Sequence, residues 1–222
     1  MISVVIPALD EERALPPTLV ALAAQGAAHE TIVVDGESAD ATRSVAFAGG
    51  ARVVDSRRGR AAQMNAGARA ARGNWLLFLH ADTLVPPGAL RAIETLPETV
   101  EAGCFHQAFD APGRLLALVS RLHNWRCERT RIMYGDQALF VRRAVFEAIG
   151  GYPEDVLEDV RLSERLRARA RPVLLPLTVT TSARRFVAQG PAASLLRIAA
   201  ILTQHRFGAR VRAGRRFFEP VR

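Results

Sequence analysis

The chain contains no lysine, only two cysteines and no apolar run long enough to cross a bilayer. All 30 basic residues are therefore arginine, which we attribute to genomic base composition rather than to chemistry. Cys104 and Cys127 are far apart and lack the spacing of metal ligands, so neither a zinc site nor a disulfide framework is expected. The first residues lack the basic and apolar segments of a signal peptide. These absences predict a cytoplasmic protein.

The composition is that of an ordinary globular protein. With 222 residues, 49% of them hydrophobic, the chain can bury one sizeable core, and its length predicts one main domain. The net charge of +8 is uneven, because residues 205–222 hold six arginines and one glutamate. We expect a main domain over residues 1–190 and a basic amphipathic helix and tail over residues 191–222. Such a tail suits an anionic membrane surface, packing against the domain, or another subunit.

The first half of the chain alternates short β-branched runs with helical patterns. This alternation predicts a parallel sheet with helices on both faces. The second half is less regular, with one or two strands expected within residues 133–141 and an extended segment, interrupted by Pro176, over 173–180. The remaining predicted strands cover residues 3–7, 31–35, 51–55, 75–79 and 104–109, and the predicted helices cover 11–24, 40–48, 60–72, 115–129, 144–149, 159–170 and 191–205.

Acidic side chains follow several of the predicted strands. Glu11 comes after the first strand, Asp35 ends the second, and His80 and Asp82 follow the fourth. Ligands of open α/β sheets bind outside the carboxyl ends of the strands, so we expect these groups to converge. Carboxylates there accept ribose hydroxyls or base N–H groups, or hold a divalent cation. The pattern indicates a nucleotide and metal site, although a turn or a helix cap explains any one acid alone.

An ordered series of motifs resembles family 2 glycosyltransferases. The variants His80-Ala81-Asp82 and Gly135-Asp136-Gln137 are similar to those of small, stand-alone bacterial members. The series spans residues 2–186, and its order makes it specific. The resemblance implies an α/β GT-A fold, with a mostly parallel central sheet flanked by helices and a C-terminal helical extension. It also implies an inverting, metal-dependent transferase that uses a nucleotide-sugar donor, typically a UDP-sugar. The other motifs of the series lie at residues 6–11, 34–40, 65–67 and 157–162.

The resemblance also implies roles for single residues. Asp159 would be the general base, with Glu158 beside it, and Asp82 with His80 would hold Mg²⁺ or Mn²⁺. His80 stands where the family has the first acid of its metal motif. The donor would be bound by Pro7, Ala8, Glu11, Asp35, Arg60, Ala81, Asp136 and Arg185. Without the resemblance, Glu158 and Asp159 would be taken for acids that offset a helix dipole. That dipole is expected to keep Asp159 ionised and to lower its pKa.

Two other functions stay open. A sugar nucleotidyltransferase shares the sheet, but it usually has a glycine-rich basic loop after the first strand, which residues 7–12 lack. A binding protein for anionic lipid or nucleic acid, on a degenerate transferase fold, is favoured by the basic tail and disfavoured by the retained acids. We therefore expect a transferase with a nucleotide-sugar donor, an unidentified hydroxyl acceptor and no nucleic acid partner. Peripheral contact of the tail with the inner face of the membrane, and a homo-oligomer, are further expectations.

Overall fold

The computed structural model describes residues 1–154 and 157–190. The predicted helix over residues 191–205 and the basic tail lie outside the described residues. The strands are β1 Ile2–Ala8, β2 His29–Asp35, β3 Arg52–Asp55, β4 Trp75–Phe78, β5 Thr83–Leu84, β6 Ala102–Phe109, β7 Phe140–Arg142 and β8 Val173–Thr181. The helices are α1 Leu15–Ala23, α2 Thr42–Ala48, α3 Arg60–Ala70, α4 Ala89–Glu94, α5 Arg114–Thr130, α6 Arg143–Ala148, α7 Glu158–Arg169 and α8 Arg184–Gln189, and a 3-10 turn covers Gly135–Gln137.

One eight-stranded sheet organises the described chain, in the order β3-β2-β1-β4-β7-β6-β8-β5. Strands β1 to β4 pair in parallel, as the alternating pattern predicts. The second half makes the sheet mixed, because β7 is antiparallel to both β4 and β6 and β5 is antiparallel to β8. Strand β8 returns to a parallel pairing with β6. The carboxyl ends of β1, β2, β4, β6 and β8 therefore lie along one edge of the sheet, which we call the carboxyl edge.

Helices cover both faces of the sheet, as predicted. Successive residues of a strand point to opposite faces, so Val4 and Ile6 of β1 enter one apolar cluster and Val5 enters the other. Helices α1, α2 and α4 pack in the first cluster, whereas α3, α5, α6 and α7 pack in the second. Within residues 1–154 and 157–190, no helix is both long and apolar enough to span a bilayer.

Three predicted elements differ from the structure. Helix α1 begins only at Leu15, with prolines in its first turn, where a missing N–H costs nothing. Residues 133–141 form the 3-10 turn and the three-residue β7, because the Gly135 N–H is bonded to a side chain rather than to a strand. Strand β8 continues through Pro176, and the register with β6 shifts between Phe105 and His106 to accommodate it.

The two cysteines meet in the core although the sequence separates them. Helix α5 runs back along β6, and the Cys104 and Cys127 sulfur atoms lie 3.6 Å apart as free thiols. Burial raises the pKa of the Cys104 thiol, and the contact with Cys127 adds to this effect. Sequence spacing alone gave no sign of this contact, since it depends on the packing of a helix against a strand.

Candidate active site

Asp35 lies at the carboxyl edge and is almost fully buried, with 3% of its surface exposed. Its carboxylate accepts hydrogen bonds from the Ser38 N–H at 3.3 Å and from Arg43 Nη1 at 3.2 Å. Arg43 also pairs with Asp55, which ends β3. A buried carboxylate requires such partners, because an unpaired charge is costly to remove from water. These bonds fix Asp35 at the end of β2, where the sequence predicts the contact to the nucleotide base.

Gln63 of α3 joins the ends of β1 and β2. Its buried amide nitrogen donates to the Ala8 carbonyl at 2.8 Å and to the Val34 carbonyl at 2.9 Å. The amide also lies against Gly36, where a Cβ atom would come within 2.8 Å of Gln63 Nε2. Gln63 is not among the residues predicted from the sequence. Its position one helical turn after Arg60 is the signal that places it on the same face of α3.

The other predicted donor residues at this edge shape the backbone. Ala8 is buried, and its carbonyl also accepts the Gly36 N–H at 2.9 Å. Ala81 is buried as well, and its carbonyl accepts the Thr18 hydroxyl at 2.8 Å. Pro7 pairs with Val34 within the sheet. None of these side chains carries a polar group, so they set the shape of the edge and leave the chemistry to the acids and arginines.

Arg184 joins two of the predicted acids. Its Nη2 atom lies 3.1 Å from Asp82 Oδ2 and also contacts Glu11 Oε1. The hydrogen bond to Glu11 and the charge of Asp82 raise the pKa of Arg184. Helix α8 is held there by the Phe186 ring, whose centroid is 4.8 Å from that of Phe109. The arginine predicted from the sequence is its neighbour, Arg185, whose side chain lies outside the described residues.

Arg60 lies among three acids at the start of α3. Its Nη1 atom is 3.5 Å from Glu158 Oε1. Burial lowers the pKa of Arg60, but the negative charges of Glu158, Asp159 and Asp82 outweigh burial and raise it. Arg60 therefore links the predicted metal ligand electrostatically to the predicted base, although these residues are far apart in the chain.

Asp159 lies in the first turn of α7, and its two carboxylate oxygens differ. Oδ2 accepts the Gly135 N–H at 3.0 Å, whereas Oδ1 is buried and has no hydrogen bond from any described residue. Burial and the charge of Glu158 raise the pKa of Asp159 to about 7, against the opposing charge of Arg60. The lowered pKa expected from the helix dipole is wrong, because desolvation of the carboxylate outweighs the dipole. A pKa near 7 suits a general base at neutral pH.

His80 is brought to the same place as Asp159. A Cβ atom at Gly135 would lie 2.5 Å from His80 Nε2 and 2.6 Å from Asp159 Oδ2, so both side chains border this glycine. Tyr152 is affected by the same carboxylate: burial, and then the negative charge of Asp159, raise the pKa of its hydroxyl. Among the residues that the structure describes, no three His, Cys, Asp or Glu side chains form a group able to hold a metal ion by themselves.

Asp136 faces the inner side of α5. Its Oδ1 atom is 3.5 Å from His123 Nε2. The His123 ring packs edge-on against Tyr134, with centroids 5.1 Å apart, and the Arg126 guanidinium stacks on Tyr134 at 3.8 Å. Burial lowers the pKa of His123, and the positive charge of Arg126 adds to this effect against the opposing negative charge of Asp136. Asp136 is one of the predicted donor-binding residues, whereas His123 and Arg126 are not among them.

The carboxyl edge thus brings acids and arginines together. Residues 3–149 match the model of the family described as glycosyl transferase family 2. The chain belongs to this family, as its motifs predicted. It is 32% identical over 166 residues to the PGL/p-HBAD biosynthesis glycosyltransferase of Mycobacterium tuberculosis, covering 68% of this chain. The chain spans 63% of the length of that curated relative.

Solved structures of similar shape identify the fold. One is a mannosyltransferase from Pyrobaculum calidifontis in complex with GDP-Man and Mn²⁺, with a TM-score of 0.68 and 22% identity over 89% of this chain and 59% of that chain. Another is glucosyl-3-phosphoglycerate synthase from Mycobacterium tuberculosis with Mn²⁺, UDP and glucosyl-3-phosphoglycerate, with a TM-score of 0.60 and 20% identity over 80% of this chain and 70% of that chain. The chain therefore has the α/β GT-A fold predicted from its motifs.

Proposed function

We propose that this chain transfers a sugar from a nucleotide-sugar donor to an acceptor hydroxyl, with inversion at the anomeric carbon. The first candidate for the donor is a UDP-sugar. The observation that carries this proposal is Asp159, whose carboxylate has a pKa of about 7 and whose Oδ1 atom is buried without a described hydrogen bond. Membership of glycosyl transferase family 2 supports the transfer reaction. The UDP and GDP-Man bound in two similar structures support a nucleoside diphosphate leaving group.

The donor would lie along the carboxyl edge, with its nucleotide base near Asp35 and its diphosphate near Asp82. Negative charge develops on the diphosphate as it leaves, so nearby positive charge stabilises the transition state. Arg60 and Arg184 supply that charge, and both are already oriented by ion pairs with acids. Guanidinium groups suit this task because they bind phosphate oxygens in a bidentate manner.

A divalent cation would bind beside Asp82. Mg²⁺ is commonly held by one or two carboxylates together with substrate phosphates, so a single protein carboxylate is sufficient. The ion pair of Asp82 Oδ2 with the Arg184 guanidinium, at 3.1 Å, supports a position for positive charge at this carboxylate. Asp82, with His80 as the second predicted ligand, would hold Mg²⁺ or Mn²⁺, which when bound neutralises charge on the leaving diphosphate.

Asp159 would activate the acceptor. Its Oδ2 is committed to the Gly135 N–H, so Oδ1 is the atom that accepts the proton of the acceptor hydroxyl. As the proton moves to Oδ1, the acceptor oxygen attacks the anomeric carbon and the bond to the diphosphate breaks on the opposite face. One displacement of this kind inverts the configuration.

Activity measurements with matched variants test this function. Transfer and hydrolysis are measured with a panel of UDP-sugars and GDP-sugars, with Mg²⁺ or Mn²⁺. Asp159→Asn keeps the size of the side chain but removes the base, and we expect it to lower kcat about 10²- to 10⁴-fold while UDP still binds. The control is Glu147→Gln, which removes an exposed carboxylate from α6, a helix that begins at the opposite edge of the sheet. A wild-type rate in Asp159→Asn would eliminate the assigned base.

The stereochemistry of the product gives a second, independent measurement. Proton NMR of the product formed from an α-linked donor should show a β-linked glycoside. An α-linked product would contradict the single displacement even if the activity and its dependence on Asp159 were as expected.

A further inference from the structure

Strand β7, between β4 and β6, has three residues and pairs with only the first two residues of β6. Beyond that point the 3-10 turn and α5 lie against β6: Gln137 Nε2 donates to the Phe105 carbonyl, and the Asn124 amide exchanges two hydrogen bonds with the Gln107 backbone. We call the place where α5 meets the 3-10 turn the α5 crevice, and it is defined by His123, Arg126, Tyr134 and Asp136.

Three polar atoms in the α5 crevice are buried without a hydrogen bond from any residue in the described ranges: His123 Nε2, Arg126 Nη2 and Asp136 Oδ1. His123 Nε2 and Asp136 Oδ1 are 3.5 Å apart. Burying polar groups without hydrogen bonds costs free energy, and native proteins contain few of them. Three such atoms in one crevice indicate a ligand that forms the missing bonds.

Arg126 sets the charge of that ligand. Within residues 1–154 and 157–190 it forms no ion pair, and its position is fixed by the Tyr134 ring at 3.8 Å and by a hydrogen bond from Nη1 to the Ile132 carbonyl at 2.8 Å. A guanidinium stays protonated in proteins. Its Nη2 atom, held in place and not yet bonded, therefore complements an anionic group such as a carboxylate or a phosphate.

The α5 crevice adjoins the proposed base. Asp136 follows Gly135, whose N–H donates to Asp159 Oδ2 at 3.0 Å. The charge of Asp136 also contributes to the raised pKa of Asp159. A molecule in the crevice is therefore beside the group that must take a proton from the acceptor hydroxyl.

We propose that the α5 crevice is the acceptor subsite and that the acceptor is a hydroxyl-bearing molecule with a carboxylate or phosphate group bound by Arg126. Asp136 and His123 bind hydroxyl groups of this acceptor, and the reacting hydroxyl faces Asp159. This assignment rests on the proposed transferase function, because it treats Asp159 as the base.

Binding of small acids tests the assignment without knowledge of the natural acceptor. Calorimetric titrations use glycerol 3-phosphate, glycerate and uncharged glycerol as probes, each with and without saturating UDP and Mn²⁺. UDP fills the diphosphate site near Arg60 and Arg184, so an acid that still binds must lie elsewhere. We expect at least one acid to bind wild-type protein in the presence of UDP, and glycerol to bind about tenfold or more weakly.

Arg126→Gln should weaken binding of the acid about tenfold or more, because a charge-assisted hydrogen bond is lost. Arg129→Gln is the matched control, since Arg129 is exposed on the same helix and stacks on Trp125 at 5.6 Å. Arg126→Lys keeps the charge and should retain part of the affinity. Thermal unfolding of each variant shows whether it is folded. If Arg126→Gln is not folded, Arg126→Lys is compared with wild type instead.

Four results would overturn the assignment: no binding of either acid, equal binding of glycerol, equal binding by Arg126→Gln and wild type, or loss of acid binding when UDP is added. The last result would place the anion in the diphosphate site. Failure of UDP itself to bind would contradict the proposed donor class, and with it the acceptor role of the crevice. Binding of UDP and binding of the acids without UDP are measured separately. Failure of the donor class and failure of the acceptor subsite are therefore distinguishable.

Discussion

Replacement of Asp159 by asparagine should stabilise the protein at high pH and have much less effect at low pH. The pKa of Asp159 is raised from 3.8 to about 7, mainly by burial and then by the charge of Glu158. Each pKa unit corresponds to 1.36 kcal/mol, so the ionised carboxylate destabilises the folded state by on the order of 4 kcal/mol. In the unfolded chain the carboxyl group ionises near pH 4, well before it does so in the folded protein.

The pH dependence of stability follows from this difference. Between about pH 4 and pH 7 the unfolded state carries the charge and the folded state keeps the proton, so the contribution of Asp159 to stability falls as pH rises. It levels off above pH 7, where both states are ionised. From pH 5 to pH 8 the fall is on the order of 3 kcal/mol.

Urea denaturation at pH 5 and pH 8 measures this effect. The measured quantity is the free energy of unfolding of Asp159→Asn minus that of wild type. It should be about 3 kcal/mol larger at pH 8 than at pH 5. Taking this difference cancels other groups that titrate alike in both proteins. Glu147→Gln should show no such change between the two pH values. If the difference between Asp159→Asn and wild type were the same at pH 5 and pH 8, the raised pKa of Asp159 would be refuted.

The same group should control the rate. Because the base must be ionised, kcat/KM should rise tenfold per pH unit below about pH 7 and become constant above it. Removing the charge of Glu158 with Glu158→Gln should move this inflection to lower pH, whereas Arg60→Gln should move it to higher pH. A pH profile that is flat from pH 5 to 8 would contradict the role of Asp159 as the base.

Two further predictions concern the neighbours of these acids. Arg184→Gln should increase the affinity for Mn²⁺ in the absence of nucleotide severalfold, measured by calorimetry, because the guanidinium competes for Asp82; an unchanged affinity would show that it does not. Gly135→Ala should lower the free energy of unfolding by about 1–3 kcal/mol, because its Cβ would lie 2.6 Å from Asp159 Oδ2. Gly26→Ala, where a Cβ meets no atom within 4 Å, is the control, and equal effects of the two changes in urea denaturation would contradict this packing.

The sequence determined the first half of the fold, where local patterns and tertiary structure agree. Strands β1 to β3 are short runs rich in β-branched residues and β4 is a short apolar run. Consecutive parallel strands linked by helices leave few arrangements open. The second half was harder to predict because its pairing is not local. Residues 133–141 have a strand-like composition, but tertiary hydrogen bonds at Gly135 and Gln137 make part of the segment a 3-10 turn.

For the candidate site, the sequence alone determined the family and the order of acids along the chain, because motif spacing survives without coordinates. Only the tertiary structure decided which partners those acids have. Arg184 reaches Asp82 because β8 returns to the carboxyl edge, and α5 brings Arg126 to the 3-10 turn. The pKa of Asp159 was predicted in the wrong direction because its helix position is local, whereas its burial arises from residues distant in sequence. Desolvation depends on the whole fold, and in this protein it outweighs the local dipole.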